Sequence, residues 1–184
     1  MSLSSNQERI VSILLRCSLG VPFIFEPDEY RKGNSTREPA DLVWIAGNAV
    51  FFFYMISRKF SSESSKSTIE GRKNKLINHN LKQAEGWLKA WKSGQLLTGV
   101  NNYYKFSNNY LDFQNVFIVG VIDYGNESGE FHPNFLTDFN VKLCATISSN
   151  EFEIFAKGGS PLDLILILNQ IKKGVYLRVQ RGFH

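Results

Sequence analysis

Cysteine is scarce in this chain of 184 residues. The two present, Cys17 and Cys144, both lie inside apolar runs. That excludes a disulfide framework, fits a reducing compartment and reads both thiols as core residues. Neither has the basic or helix-start setting of a nucleophile. Histidine is equally sparse: His79, His132 and His184 show no metal-ligand spacing. No glycine-rich phosphate loop is present. Gly158-Gly159-Ser160 is explained as a turn followed by a helix cap. Long apolar runs are missing too. The longest window, residues 40–56, is interrupted by Asp41, Gly47 and Asn48, so it falls short of the roughly 20 residues a spanning helix requires. With no basic leader ahead of the short apolar run at residues 10–15, the reading is a cytoplasmic protein with no membrane partner. No internal repeat is apparent.

What is abundant is core material. Hydrophobic residues make up 43% of the chain and phenylalanine alone occurs 15 times, enough for one sizeable domain over residues 1–184. The most informative stretch is residues 37–59. It reads as strand, Gly47-Asn48 turn and strand, because both turn residues tolerate positive φ. Residues 50–56 (VFFFYMI) do not alternate, so this strand is expected to be buried on both faces, at the centre of a sheet.

In chain order, Ser5-Asn6-Gln7-Glu8 has the form of a capping box opening a helix. Ile10, Ile13, Leu14 and Cys17 share one side of it, and Gly20 ends it. A short strand at 21–25, an acidic turn at 26–29 and a polar loop at 30–36 precede the hairpin. Residues 61–68 (SSESSKST) read as a mobile loop. Residues 70–92 are the clearest helix, with Ile77, Leu81, Ala84, Leu88 and Trp91 on one face and Trp87 widening it. Residues 96–112 read as an irregular connection, 115–123 and 141–148 as strands, and 160–171 as a helix opened by Ser160-Pro161. Residues 175–181 alternate, as an edge strand does. The sum is an α/β protein with a mixed central β-sheet flanked by helices.

Net charge is only +4, yet residues 57–92 hold nine Lys/Arg against three Glu. Lys75, Lys82 and Lys89 recur every seven residues along one side of the helix, a field suited to phosphate. Tyr103, Tyr104 and Phe106 around Lys105 are a second aromatic and basic group, read mainly as a packed loop.

The order helix–strand–strand–strand–helix–strand resembles the core of the restriction-endonuclease-like, PD-(D/E)XK nuclease superfamily. Three features carry the resemblance: Pro39-Ala40-Asp41 before the hairpin, the buried strand at 50–56 and the helix at 78–91. It implies that Asp41, with Glu38 and Glu26 as further carboxylates, would hold Mg²⁺ or Mn²⁺. Carboxylates suit these hard cations. Lys59 (or Arg58) would counter the charge that builds on phosphate. The second motif is absent: residues 54–57 are Tyr-Met-Ile-Ser, with neither carboxylate nor lysine. The first expectation is therefore a nuclease fold with a degenerate metal site, a pseudoenzyme that binds DNA or RNA through Lys75, Lys82 and Lys89. The alternatives are an active metal-dependent nuclease in defence against foreign DNA, using Asp41, Glu38 and Lys59, or a protein-interaction domain that self-associates as a homodimer.

Overall fold

The computed structural model describes residues 12, 13, 16, 23–57, 66–101, 103–123, 132–134, 141, 143–149 and 152–153. The strands are β1 (Ile24–Pro27), β2 (Tyr30–Lys32), β3 (Ser35–Arg37), β4 (Leu42–Ala46), β5 (Ala49–Ser57), β6 (Leu97–Val100), β7 (Lys105–Asn108), β8 (Asn115–Asp123), β9 (His132–Asn134) and β10 (Leu143–Ser148). Between β5 and β6 runs the long helix α1 (Lys66–Lys92). Among the described residues, eight strands form one mixed sheet in the order β7-β6-β1-β4-β5-β8-β10-β9, and β2 and β3 pair separately.

The apolar strands set this order. β5 and β8 run parallel in a nine-residue register from Ala49↔Asn115 to Ser57↔Asp123. Their facing side chains, Phe51 and Phe117, stack with ring centroids 4.3 Å apart. A parallel pair needs a crossover, and α1 supplies part of it. β4 and β5 form the expected hairpin, Leu42↔Phe53 to Ala46↔Ala49. Gly47 turns it at φ 59°. The turn is tied to the start of β8, where Asn48 Nδ2 donates to Gln114 Oε1 at 2.8 Å and Gln114 N donates to the Asn48 carbonyl at 2.9 Å.

Because successive residues point to opposite faces, the unbroken apolar run of β5 feeds two cores. Val50, Phe52 and Tyr54 join Val116, Ile118 and Cys144 under the α1 residues Ala84, Trp87, Leu88 and Trp91. Phe51, Phe53 and Met55 join Trp44, Phe117, Val119, Val121, Ile147 and Phe152 on the other face. The central, two-sided burial expected of β5 and the apolar face expected of the helix are both present.

Four expectations are corrected. The polar loop at 30–36 is the β2–β3 hairpin, turned by Gly33 at φ 62°. The connection at 96–112 contains the β6–β7 hairpin and a 3₁₀ turn, Tyr110–Asp112. In the acidic turn at 26–29, Glu26 and Pro27 belong to β1, paired with Val100 and Gly99. Finally, α1 begins at Lys66, inside the segment read as a mobile loop. In each case short polar segments gain their hydrogen bonds from distant partners, which local pattern does not reveal. Strand β9 was not anticipated. Ser12, Ile13 and Arg16 are helical, as expected, although Ile13 is exposed. The helix at 160–171 and the strand at 175–181 lie outside the described residues. No helix of the described residues is long and apolar enough to cross a membrane.

Between α1 and the sheet sits a small polar seam. Asn80, buried, donates from Nδ2 to the Tyr54 carbonyl at 3.2 Å. Gly120 leaves the space for it, since a Cβ there would lie 3.0 Å from Thr146 Oγ1 and 3.4 Å from Asn80 Nδ2.

Candidate functional site

Asp41 directly precedes β4, where the chain turns into the sheet beside β5. Its backbone N–H donates to the Phe53 carbonyl at 3.0 Å. Its carboxylate accepts the Met55 N–H through Oδ2. The side chain thus acts as a strand acceptor, extending the β4–β5 pairing past the end of β4. Beneath it, Tyr54 is fully buried and donates its hydroxyl to the Pro39 carbonyl at 2.5 Å. Burial raises the phenol well above its usual range, and the charge of Asp41 adds to the rise.

This arrangement predicts an alkaline limit. The folded-state pKa of Tyr54 is raised, so the neutral phenol contributes its full stability below about 10, the ordinary tyrosine value. Above that, the unfolded chain ionises while the folded one resists, and stability falls as pH rises. Tyr54→Phe should cost about 1–2 kcal/mol at neutral pH, because the Pro39 carbonyl loses its donor, and should flatten the decline above pH 10. Urea melts of both proteins across pH 8–11 measure this. Parallel curves would show that Tyr54 is not the group responsible.

Asp41, Glu38 and Glu26, the three carboxylates expected to hold metal, all line one open cleft of about 540 Å³, together with Arg16, Ala40, Leu42 and Met55. The cleft does not assemble the second motif. Met55, buried and apolar, is the β5 residue whose backbone N–H bonds the Asp41 carboxylate. Glu26 is held by Arg16, whose Nη2 lies 3.0 Å from Oε1, and Arg16 Nε donates to Ser12 Oγ at 3.1 Å. Glu38 is exposed at the rim. No group of three or more His, Cys, Asp or Glu is placed to hold a metal ion among the described residues. Lys59 and Arg58 lie outside them. Sequence reasoning missed the pairing of Arg16 with Glu26, which are ten residues apart across a change of element.

The basic helix face is a separate feature. Helix α1 carries seven Lys/Arg and two Glu. Lys75 and Lys82 are exposed. Lys89, also exposed, is bridged to Glu85 at 2.8 Å, one turn earlier. Lys73 is turned inward and buried. Of the aromatic group near Lys105, Tyr103 and Tyr104 are exposed, while Phe106 packs on Phe25 at 4.4 Å. Cys144 is buried and free, and burial pushes its thiol up to about 12, which keeps it protonated and unreactive. His79 is exposed on α1.

Neither a family model, nor a curated protein, nor a solved structure matches this chain.

Proposed function

We propose that the chain is a nuclease-fold protein with a degenerate metal site that binds nucleic acid through the outer face of α1. The order β1, β4, β5, α1, β8 supports the likeness to the PD-(D/E)XK core, with the β2–β3 and β6–β7 hairpins as additions. Met55 in place of a carboxylate beside Asp41 supports the loss of the metal site, and no hydrolytic step is assigned. The observation that carries the binding role is the exposure of Lys75, Lys82 and Lys89 along a single side of the helix, opposite its apolar face.

The test is duplex DNA affinity as a function of salt. Neutralised phosphates release counterions, so log affinity falls linearly with log salt, by about 0.9 for each contact. Wild type should show this decline, and reversing Lys75, Lys82 and Lys89 to Glu should abolish binding. Binding indifferent to salt and to those reversals would sink the proposal.

One observation favours the active alternative: Glu26, Glu38 and Asp41 share a cleft. Asp41→Asn separates the two readings because an amide oxygen still accepts the Met55 N–H while the charge is gone. The degenerate reading expects calorimetric titration with Mn²⁺ to give no saturable heat in either protein. Mn²⁺-dependent DNA cleavage that disappears in Asp41→Asn would establish the active one.

A further inference from the structure

Helix positions 75, 79, 82, 86 and 89 follow one another in steps of four and three, so they share one face. Four of them are Lys75, His79, Lys82 and Lys89, and all four are exposed. The fifth is Gly86, a gap in the row. The β2–β3 hairpin reaches over that gap: Lys32 Nζ lies 3.4 Å from where a Cβ on Gly86 would be. The hairpin is anchored for this by Tyr30, buried with its ring 4.9 Å from that of Trp87. Alternation along β2 then turns Lys32 to the same side as Tyr30 and Arg31 to the other. An amine from a different element thus takes the place the helix leaves empty.

We propose that Lys32 completes a continuous cationic row, Lys75–Lys82–Lys32–Lys89, and that the row tracks one phosphate backbone of a nucleic acid duplex. From 75 to 89 the helix rises about 21 Å at 1.5 Å per residue. The row is straight, which matches a regular line of phosphates. Glu85 is the acid within it, and it is engaged with Lys89. The inference rests on the nucleic-acid reading above and adds to it a second element, the hairpin.

The experiment measures the salt slope of affinity for a short mixed-sequence DNA duplex. Lys32→Gln should lower the slope by about 1, as expected for one lost phosphate contact. Arg31→Gln, on the outward side of the same hairpin, should leave it unchanged. The double variant Lys32→Gln with Gly86→Lys returns a cation to the same place from the helix itself and should restore the slope. A hairpin needed only for folding would not be rescued in that way. If reversing the helix lysines abolishes binding but Lys32→Gln leaves the slope intact, this inference alone falls. If wild type does not bind the duplex, both readings fall. Equal binding to phosphatidylserine vesicles, with the same dependence on Lys32, would overturn the assignment to nucleic acid.

Discussion

Trp87→Ala is expected to destabilise the protein by about 3–5 kcal/mol, the usual cost of truncating a buried aromatic. Trp87 is fully buried at the junction of three elements. Its ring stands 5.8 Å from Trp91, 4.9 Å from Tyr30 and 6.4 Å from Phe52, so it joins α1 to both the β2–β3 hairpin and the central strand. Truncation therefore opens a cavity whose walls belong to separate parts of the fold and do not easily collapse together. Trp87→Phe should behave differently. The indole Nε1 is buried and meets no acceptor among the described residues, and an unpaired buried donor costs about 1–3 kcal/mol. Phenylalanine removes that donor while keeping a ring, so its net cost should be about 1 kcal/mol or less. Urea unfolding followed by far-ultraviolet circular dichroism, with the slope checked for constancy, compares the two. A phenylalanine variant as unstable as the alanine variant would show that indole shape, not the orphaned donor, dominates.

Gly99→Ala should be nearly as damaging although it adds a single methyl. Gly99 lies in β6, opposite Pro27 of β1 and Phe106 of β7. A Cβ there would meet the Glu26 carbonyl oxygen at 2.5 Å and Phe106 Cε1 at 2.5 Å. The ring can rotate, but the carbonyl belongs to the strand to which β6 is paired, so the two strands must separate. Overpacking usually costs about 1–3 kcal/mol, and a backbone obstacle puts this site at the upper end. Among the described residues the β6–β7 hairpin is paired to the sheet through β1 alone, so the damage should be local. Hydrogen exchange at the Asp28 N–H, which donates to the Thr98 carbonyl at 2.8 Å, should accelerate, while exchange within β5 and β8 stays slow. Uniform acceleration across the sheet would contradict this. Gly47, at φ 59° with open space around it, makes a useful contrast: alanine there meets no atom and bears only the left-handed backbone cost of about 1–2 kcal/mol.

The site was legible only in part. Asp41 stands out in the sequence as a carboxylate at the head of a buried strand pair, and the lysine row stands out from its period of seven. What Asp41 does with its carboxylate was not legible, because an aspartate before a strand serves equally as a metal ligand or as a hydrogen-bond acceptor. In the structure its Oδ2 accepts the Met55 N–H. The position of Lys32 beside Gly86 was hidden for another reason. Its segment, YRKGNSTR, has one anchor residue, Tyr30, and its packing depends on Trp87, 57 positions away.

The sequence by itself determined the parts whose free energy is local or one-dimensional. These are the Gly47-Asn48 turn, the two-sided burial of β5 and β8 and the apolar face of α1, because turn conformation and hydrophobic period are properties of neighbouring residues. Tertiary structure decided everything that depends on a distant partner. It set the parallel register of β5 with β8, the recruitment of β6 and β7 through a close approach at Gly99, and the pairing of Arg16 with Glu26. It also placed Lys32 in the gap at Gly86. Short polar segments gain too little from their own hydrogen bonds to offset the entropy of ordering, so they take a fixed form only where the rest of the fold supplies a surface and a strand edge.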